Sequence, residues 1–138
     1  MMTQSNVHVY EKTIFFHDTD QAGVVHHANY LNYMEEARIT FLADLGIKYD
    51  DLQKEHIGLA PVDIQIKYIH PLRLGDIASI QTSVTLFKKA SIVMKQEIFC
   101  NNQLCTSTTI KLACLNEKKY KIVPLPESLK TAFSLNLH

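Results

Sequence analysis

The sequence predicts an α+β domain in which a five-stranded antiparallel sheet wraps around one long helix. Three observations predict it. One long segment in the first two-thirds of the 138 residues carries helical periodicity. Four segments after it alternate apolar and polar residues. The connections between the alternating segments are too short for parallel crossovers and suit hairpins. A single helix covers only one face of such a sheet, so the other face and a free edge invite a second subunit.

Residues 10–16 are rich in β-branched and aromatic side chains and read as the first strand. HDTDQAGVVHH, a polar connection containing Gly23, leads into a helix over residues 28–45. In that helix Tyr30, Met34, Ala37, Phe41 and Leu45 recur at spacings of three and four, and Gly46 stands where a C-terminal cap belongs. Val62, Ile64, Ile66 and Tyr68 alternate with Asp63, Gln65 and Lys67, predicting a strand with one face buried and the other wet or bordering a cleft. A turn over 71–76 precedes strands at 78–86, 91–100 and 104–115, joined at Lys88-Lys89 and Asn101-Asn102. Pro124 and Pro126 introduce ESLKTAFSLNL, a short amphipathic helix. No repeat or linker interrupts the chain, so one domain is expected over residues 1–138.

Composition excludes several classes. Hydrophobic residues make up 46% and charged residues 20%, as in globular proteins rather than disordered ones. The 14 Lys+Arg balance 14 Asp+Glu, which removes the broad attraction that nucleic acids and anionic membranes use. No segment approaches the ~20 apolar residues of a membrane span, and the start lacks a signal-peptide core. Cys100, Cys105 and Cys114 form no CxxC pair and have no zinc-spaced histidines near them. They read as reduced thiols on strands, and the chain as cytoplasmic, with no metal and no cofactor.

Chemistry concentrates ahead of the long helix. Asp18-x-Asp20 is first of all a turn motif, because aspartate bonds nearby backbone amides. Here, however, a carboxylate, a glycine that lets the backbone approach a ligand, and a helix start fall within about ten residues. Free N–H groups at a helix start polarise a carbonyl oxygen. Asp20 can then activate water as a general base or attack the carbonyl itself. Since no strong acid stands ready to protonate a leaving group, a thioester suits the site best: a thiolate leaves unaided. Of His26 and His27, at the helix entrance, one can position water, hydrogen-bond Asp20 or line a pocket, or the pair simply sits in a polar loop. Lys88 and Lys89, with Ser91 just after them, fit a clamp for anions such as the phosphates of coenzyme A, or merely a solvated turn. Arg73 is a weaker candidate for the same task. There is no G-x-S-x-G elbow, and four glycines assemble no phosphate cradle.

FFHDTDQAGVVHHANYLNYMEEAR, residues 15–38, resembles the signature of hotdog-fold acyl-CoA thioesterases of the YbgC / 4-hydroxybenzoyl-CoA thioesterase family. YIHPLRLGD (68–76) and LFKKASIVMKQEI (86–98) support the likeness, which covers residues 7–127. The resemblance implies a hotdog fold, and homodimers that share one continuous sheet, hold their active sites at the interface and often pair into tetramers. It carries the catalytic carboxylate onto Asp20 and the carbonyl-polarising amide onto the segment at His27, whose side chain it also implicates. Lys88 and Lys89 become the holders of coenzyme A phosphates, in part across subunits. Phe16 departs from relatives with a tyrosine there, so only apolar packing or pocket lining is expected of it. The expected activity is hydrolysis of an acyl-CoA, or of an acyl group on a carrier protein. The alternatives are a scaffold that binds acyl-CoA or acyl-carrier protein without turnover, and a dehydratase acting on hydroxyacyl thioesters.

Overall fold

The structure, a computed structural model, describes residues 1–3 and 6–138. In chain order it contains β1 (His8–Thr13), a 3-10 turn (Phe16–Asp18), α1 (Asn29–Asp44) and α2 (Tyr49–Lys54). There follow β2 (Ile57–Tyr68), β3 (Ile77–Phe87), β4 (Ser91–Cys100), β5 (Gln103–Asn116), β6 (Lys121–Ile122) and α3 (Glu127–Leu135). The strands form one antiparallel sheet in the order β1-β3-β4-β5-β2, with the two-residue β6 added beside β5. The helix and the five principal strands are those the sequence predicts.

α1 ends as the glycine at its C-terminus requires. Gly46 adopts φ +85°, its N–H donates to the Ala43 carbonyl at 2.9 Å, and the Ile47 N–H donates to the Leu42 carbonyl at 2.9 Å. That paired arrangement satisfies carbonyls the helix cannot. The buried stripe of α1 is wider than its periodicity suggests, since Tyr33 and Leu42 are buried beside Tyr30, Met34, Ala37 and Phe41. Asn101 and Asn102 both take positive φ between β4 and β5, the conformation a two-residue hairpin needs to match strand twist.

The core between α1 and the sheet divides in two. Phe41, Ile92, Met94, Leu129 and Phe133 belong to one cluster; Tyr30, Met34, Ala37, Leu72 and Ile98 belong to the other. A row of buried polar residues separates them: His8, Thr82, Gln96 and Thr108 are ladder partners across β1, β3, β4 and β5. Gln96 donates to the Met34 carbonyl at 2.9 Å and to Thr82 Oγ1 at 3.0 Å, while its own oxygen accepts from Arg38 Nη1 at 3.0 Å. Through Gln96 the row keys α1 to the sheet at one depth, because a buried polar group left without its partner is costly, whereas Thr108 Oγ1 and His8 Nδ1 have no partner among the described residues. Cys100, Cys105 and Cys114 are buried and unpaired on β4 and β5, and burial pushes each thiol above its ordinary value.

Three expectations need correction. The first strand covers His8–Thr13 rather than residues 10–16, because β3 begins at Ile77 opposite Thr13 and the chain then turns outward. Most of the alternating apolar set of β2 is exposed, Val62 by 57%, Ile64 by 36% and Tyr68 by 47%, and only Ile66 is partly buried against the core. β2 is an edge strand that α1 does not reach over, and a bulge between Pro61 and Asp63 twists it further. α2 and β6, absent from the sequence reading, are six and two residues long and too short to leave a periodic signal.

Candidate active site

Asp20 opens a tight turn ahead of α1. Its N–H donates to the Val24 carbonyl at 2.9 Å, and its carbonyl accepts the Gly23 N–H at 3.0 Å. Gly23 closes the turn at φ +78°, a left-handed conformation that a side chain would strain. Asp20 Oδ1 accepts the Ala22 N–H at 2.8 Å, so half of the carboxylate does serve the turn. Its other oxygen has no partner among the described residues, and the side chain is exposed. The two roles coexist on one residue.

The first aspartate of the pair is structural. Asp18 is 7% exposed, its Oδ2 accepts the Phe15 N–H at 2.9 Å, and its Oδ1 lies 3.7 Å from His17 Nε2. Burial, and then the neighbouring Asp18 carboxylate, push the Tyr33 phenol well above its ordinary value. The Asp18 carbonyl accepts the side-chain amide of Asn29, the first residue of α1, at 3.0 Å. A bridge between Thr19 and Val25 returns the loop toward the helix.

His26 and His27 follow that bridge. His26 Nδ1 accepts the Ala28 N–H at 3.2 Å, and the two imidazole centroids are 4.2 Å apart. The His27 N–H has no partner among the described residues, whereas its carbonyl accepts the Tyr68 hydroxyl at 2.8 Å. An open cleft of about 250 Å3 lies beside it, lined by Val25, His27, Tyr30, Tyr68 and the 69–71 segment. Asp20 is not part of that lining; it stands at the adjoining turn. A separate crevice of about 170 Å3 opens beside Arg38 between α1 and β2. Nine residues of helix place Arg38 ~14 Å along α1 from its first turn.

The turn over 71–76 braces the loop from outside. Val24 bridges to Arg73, the Val25 N–H donates to the Leu72 carbonyl at 2.9 Å, and the Leu72 N–H donates to the Tyr30 hydroxyl at 3.0 Å. Arg73 is thereby brought beside the Asp20 turn. Lys88, Lys89 and Ser91 are not. They close the β3–β4 hairpin, with the Lys88 N–H on the Ser91 carbonyl at 2.8 Å and the Leu125 N–H on the Lys89 carbonyl at 2.8 Å. The 11 residues of β3 separate them from the 71–76 turn by ~33 Å at strand spacing. Phe16 is 80% exposed, so of the two roles expected of it, apolar packing within the chain is not seen. Asn29 and Tyr68 were missed by the sequence reading. Their partners lie 11 and 41 residues away, and only the fold brings them together.

A curled antiparallel sheet of five principal strands around one long helix is the hotdog architecture, shared with solved thioesterases. Residues 14–133 match the Thioesterase-like superfamily, and the chain belongs to it, among the YbgC-like acyl-CoA thioesterases. It is 31% identical over 121 residues to the acyl-CoA thioesterase YbgC of Haemophilus influenzae, covering 87% of this chain and 89% of that protein. The Helicobacter pylori (strain J99) acyl-CoA thioesterase YbgC is 29% identical, with 88% and 96% covered. Among solved structures, a gentisyl-coenzyme A thioesterase superposes with a TM-score of 0.84 at 30% identity, covering 91% of this chain and 98% of that one. A DHNA-CoA thioesterase from Staphylococcus aureus superposes with 0.89 at 26% identity, with 94% and 89% covered.

Proposed function

We propose that this chain hydrolyses acyl-CoA thioesters to a free acid and coenzyme A, with Asp20 as nucleophile or general base. The observation that carries the reading is the single hydrogen-bonded loop that bears both the half-free Asp20 carboxylate and the unpaired His27 amide. As a base, Asp20 takes a proton from water while the water oxygen bonds to the acyl carbon. The carbonyl oxygen gathers negative charge, which the His27 N–H stabilises by donating a hydrogen bond to it. The carbon–sulfur bond then breaks, coenzyme A leaves as thiolate, and the proton follows. As a nucleophile, Asp20 forms an acyl anhydride with loss of the same thiolate, and water hydrolyses it. His27 assists through its imidazole. The reaction needs no metal and no cofactor beyond the coenzyme A of the substrate.

Lys88, Lys89 and Ser91, with Arg73, hold the phosphates of coenzyme A in this reading. Arg73 lies beside the Asp20 turn, but the distance of Lys88, Lys89 and Ser91 from that turn within one chain supports a site completed by a second copy. The exposed apolar side chains of the β2 edge support the same arrangement: a homodimer, or a dimer of dimers. The three free thiols suit a reducing cytoplasm. No helix is long and apolar enough to cross a membrane among the described residues.

The test is release of free thiol from a panel of short, long-chain and aryl acyl-CoAs, with Asp20→Asn as control. Asn keeps the acceptor oxygen for the Ala22 N–H, so the variant should fold and assemble normally. Its rate should fall at least 10²–10³-fold, the cost of losing one preorganised oxyanion donor. Full activity in Asp20→Asn removes that residue from the chemistry. No thiol release by the native chain from any member leaves the binding scaffold as the better description.

A further inference from the structure

Two side-chain hydrogen bonds fasten the reactive loop to the scaffold, and neither builds a helix or a strand. At one end Asn29 Nδ2 donates to the Asp18 carbonyl at 3.0 Å, two residues before Asp20. At the other, the Tyr68 hydroxyl donates to the His27 carbonyl at 2.8 Å. Asn29 does not cap its own helix, whose N-cap is Ala28, and β2 pairs through its backbone. Tyr68 is itself held: its ring meets Tyr30 edge-on at 5.1 Å between centroids, and the Tyr30 hydroxyl accepts the Leu72 N–H. The Leu72 carbonyl accepts the Val25 N–H, which returns the chain of contacts to the loop.

We propose that Asn29 and Tyr68 are positioning residues, which fix the separation of the Asp20 carboxylate and the His27 amide. The proposal rests on the reading of those two groups given above. Backbone contacts with the 71–76 turn hold the middle of the loop, through the Val24–Arg73 bridge and the Val25 N–H on the Leu72 carbonyl, and leave its two ends to side chains. The two side-chain ties sit at those ends, one two residues before Asp20 and the other on His27 itself. Because α1 carries one tie and β2 the other, the geometry of the loop reports the packing of helix against sheet.

Two variants remove the ties with little else. Asn29→Asp keeps the shape but cannot donate, and a carboxylate at the first residue of a helix favours the helix. Tyr68→Phe keeps the ring on Tyr30 and loses only the O–H. In each, kcat should fall by about ten-fold, toward the ~10²-fold cost of a 1 Å misplacement. KM for the acyl-CoA, inhibition by free coenzyme A, Tm and oligomer size should stay at native values. A kcat within about two-fold of native in both variants overturns the proposal. So does a fall in kcat that tracks a fall in Tm or a change of assembly, since that is a structural role. Asp20→Asn run in parallel separates the two levels. If it is inactive while both ties are dispensable, only the positioning proposal fails; if it is fully active, the catalytic reading fails as well.

Discussion

Gln96 offers the sharpest test of how α1 is held on the sheet. Gln96→Met preserves side-chain length and removes three hydrogen bonds: to Met34, to Thr82 and from Arg38. The Met34 carbonyl keeps its helical partner, so that loss is small. The Arg38 guanidinium, held below its ordinary value by burial, loses its amide acceptor, which costs about 1.5–3 kcal/mol for a charged group. The buried Thr82 hydroxyl loses its Gln96 donor, worth about 1 kcal/mol. Methionine recovers about 1 kcal/mol through its apolar surface. The net expectation is a loss of about 2–3 kcal/mol, a fall in Tm near 10 °C for a chain of this size. Urea unfolding at one fixed protein concentration measures it, because assembly would otherwise shift the apparent stability. In the double variant with Arg38→Met the losses should fall short of additive by about 1–2 kcal/mol. A loss under about 0.5 kcal/mol in Gln96→Met, or strict additivity, refutes the keyed-row argument.

Two further outcomes are expected. His8 is fully buried, with Nε2 2.9 Å from Asp44 Oδ2, and burial holds its imidazole below the ordinary 6.5. The unfolded chain therefore takes the proton first as pH falls, so stability present above about pH 6.5 should decline below it. His8→Gln should flatten the stability curve between about pH 7 and 5; an unchanged slope places the titration elsewhere. Lys88→Ala with Lys89→Ala should raise KM for acyl-CoA several-fold, more at low salt than at high. Hydrolysis of a thioester of N-acetylcysteamine, which lacks phosphates, should be untouched, and parallel losses on both substrates contradict a phosphate clamp.

The elements were legible where period and punctuation agree. The α1 stripe and Gly46 placed the long helix to within a residue at each end, and Asn101-Asn102 marked a hairpin whose φ values need such residues. β2 shows what periodicity omits. Alternation reports that a strand has two chemically different faces, and not whether anything in the same chain covers the apolar one. The candidate site was legible as a segment, since Asp20, Gly23 and His27 are close in sequence and the structure keeps them on one hydrogen-bonded loop. The ties from Asn29 and Tyr68, and the long separation of Lys88 from Asp20, exist only in three dimensions. The structural duty of Asp18 was equally hidden, because two aspartates two residues apart look alike until one is buried.

The sequestered sulfurs of β4 and β5 have a practical corollary. A thiol-trapping dye added to the folded protein finds no accessible, ionised sulfur, so colour that develops during turnover comes from liberated coenzyme A rather than from the enzyme. The same dye in denaturant should titrate three sulfurs per chain, and the slow rise between those limits counts the molecules that have come undone.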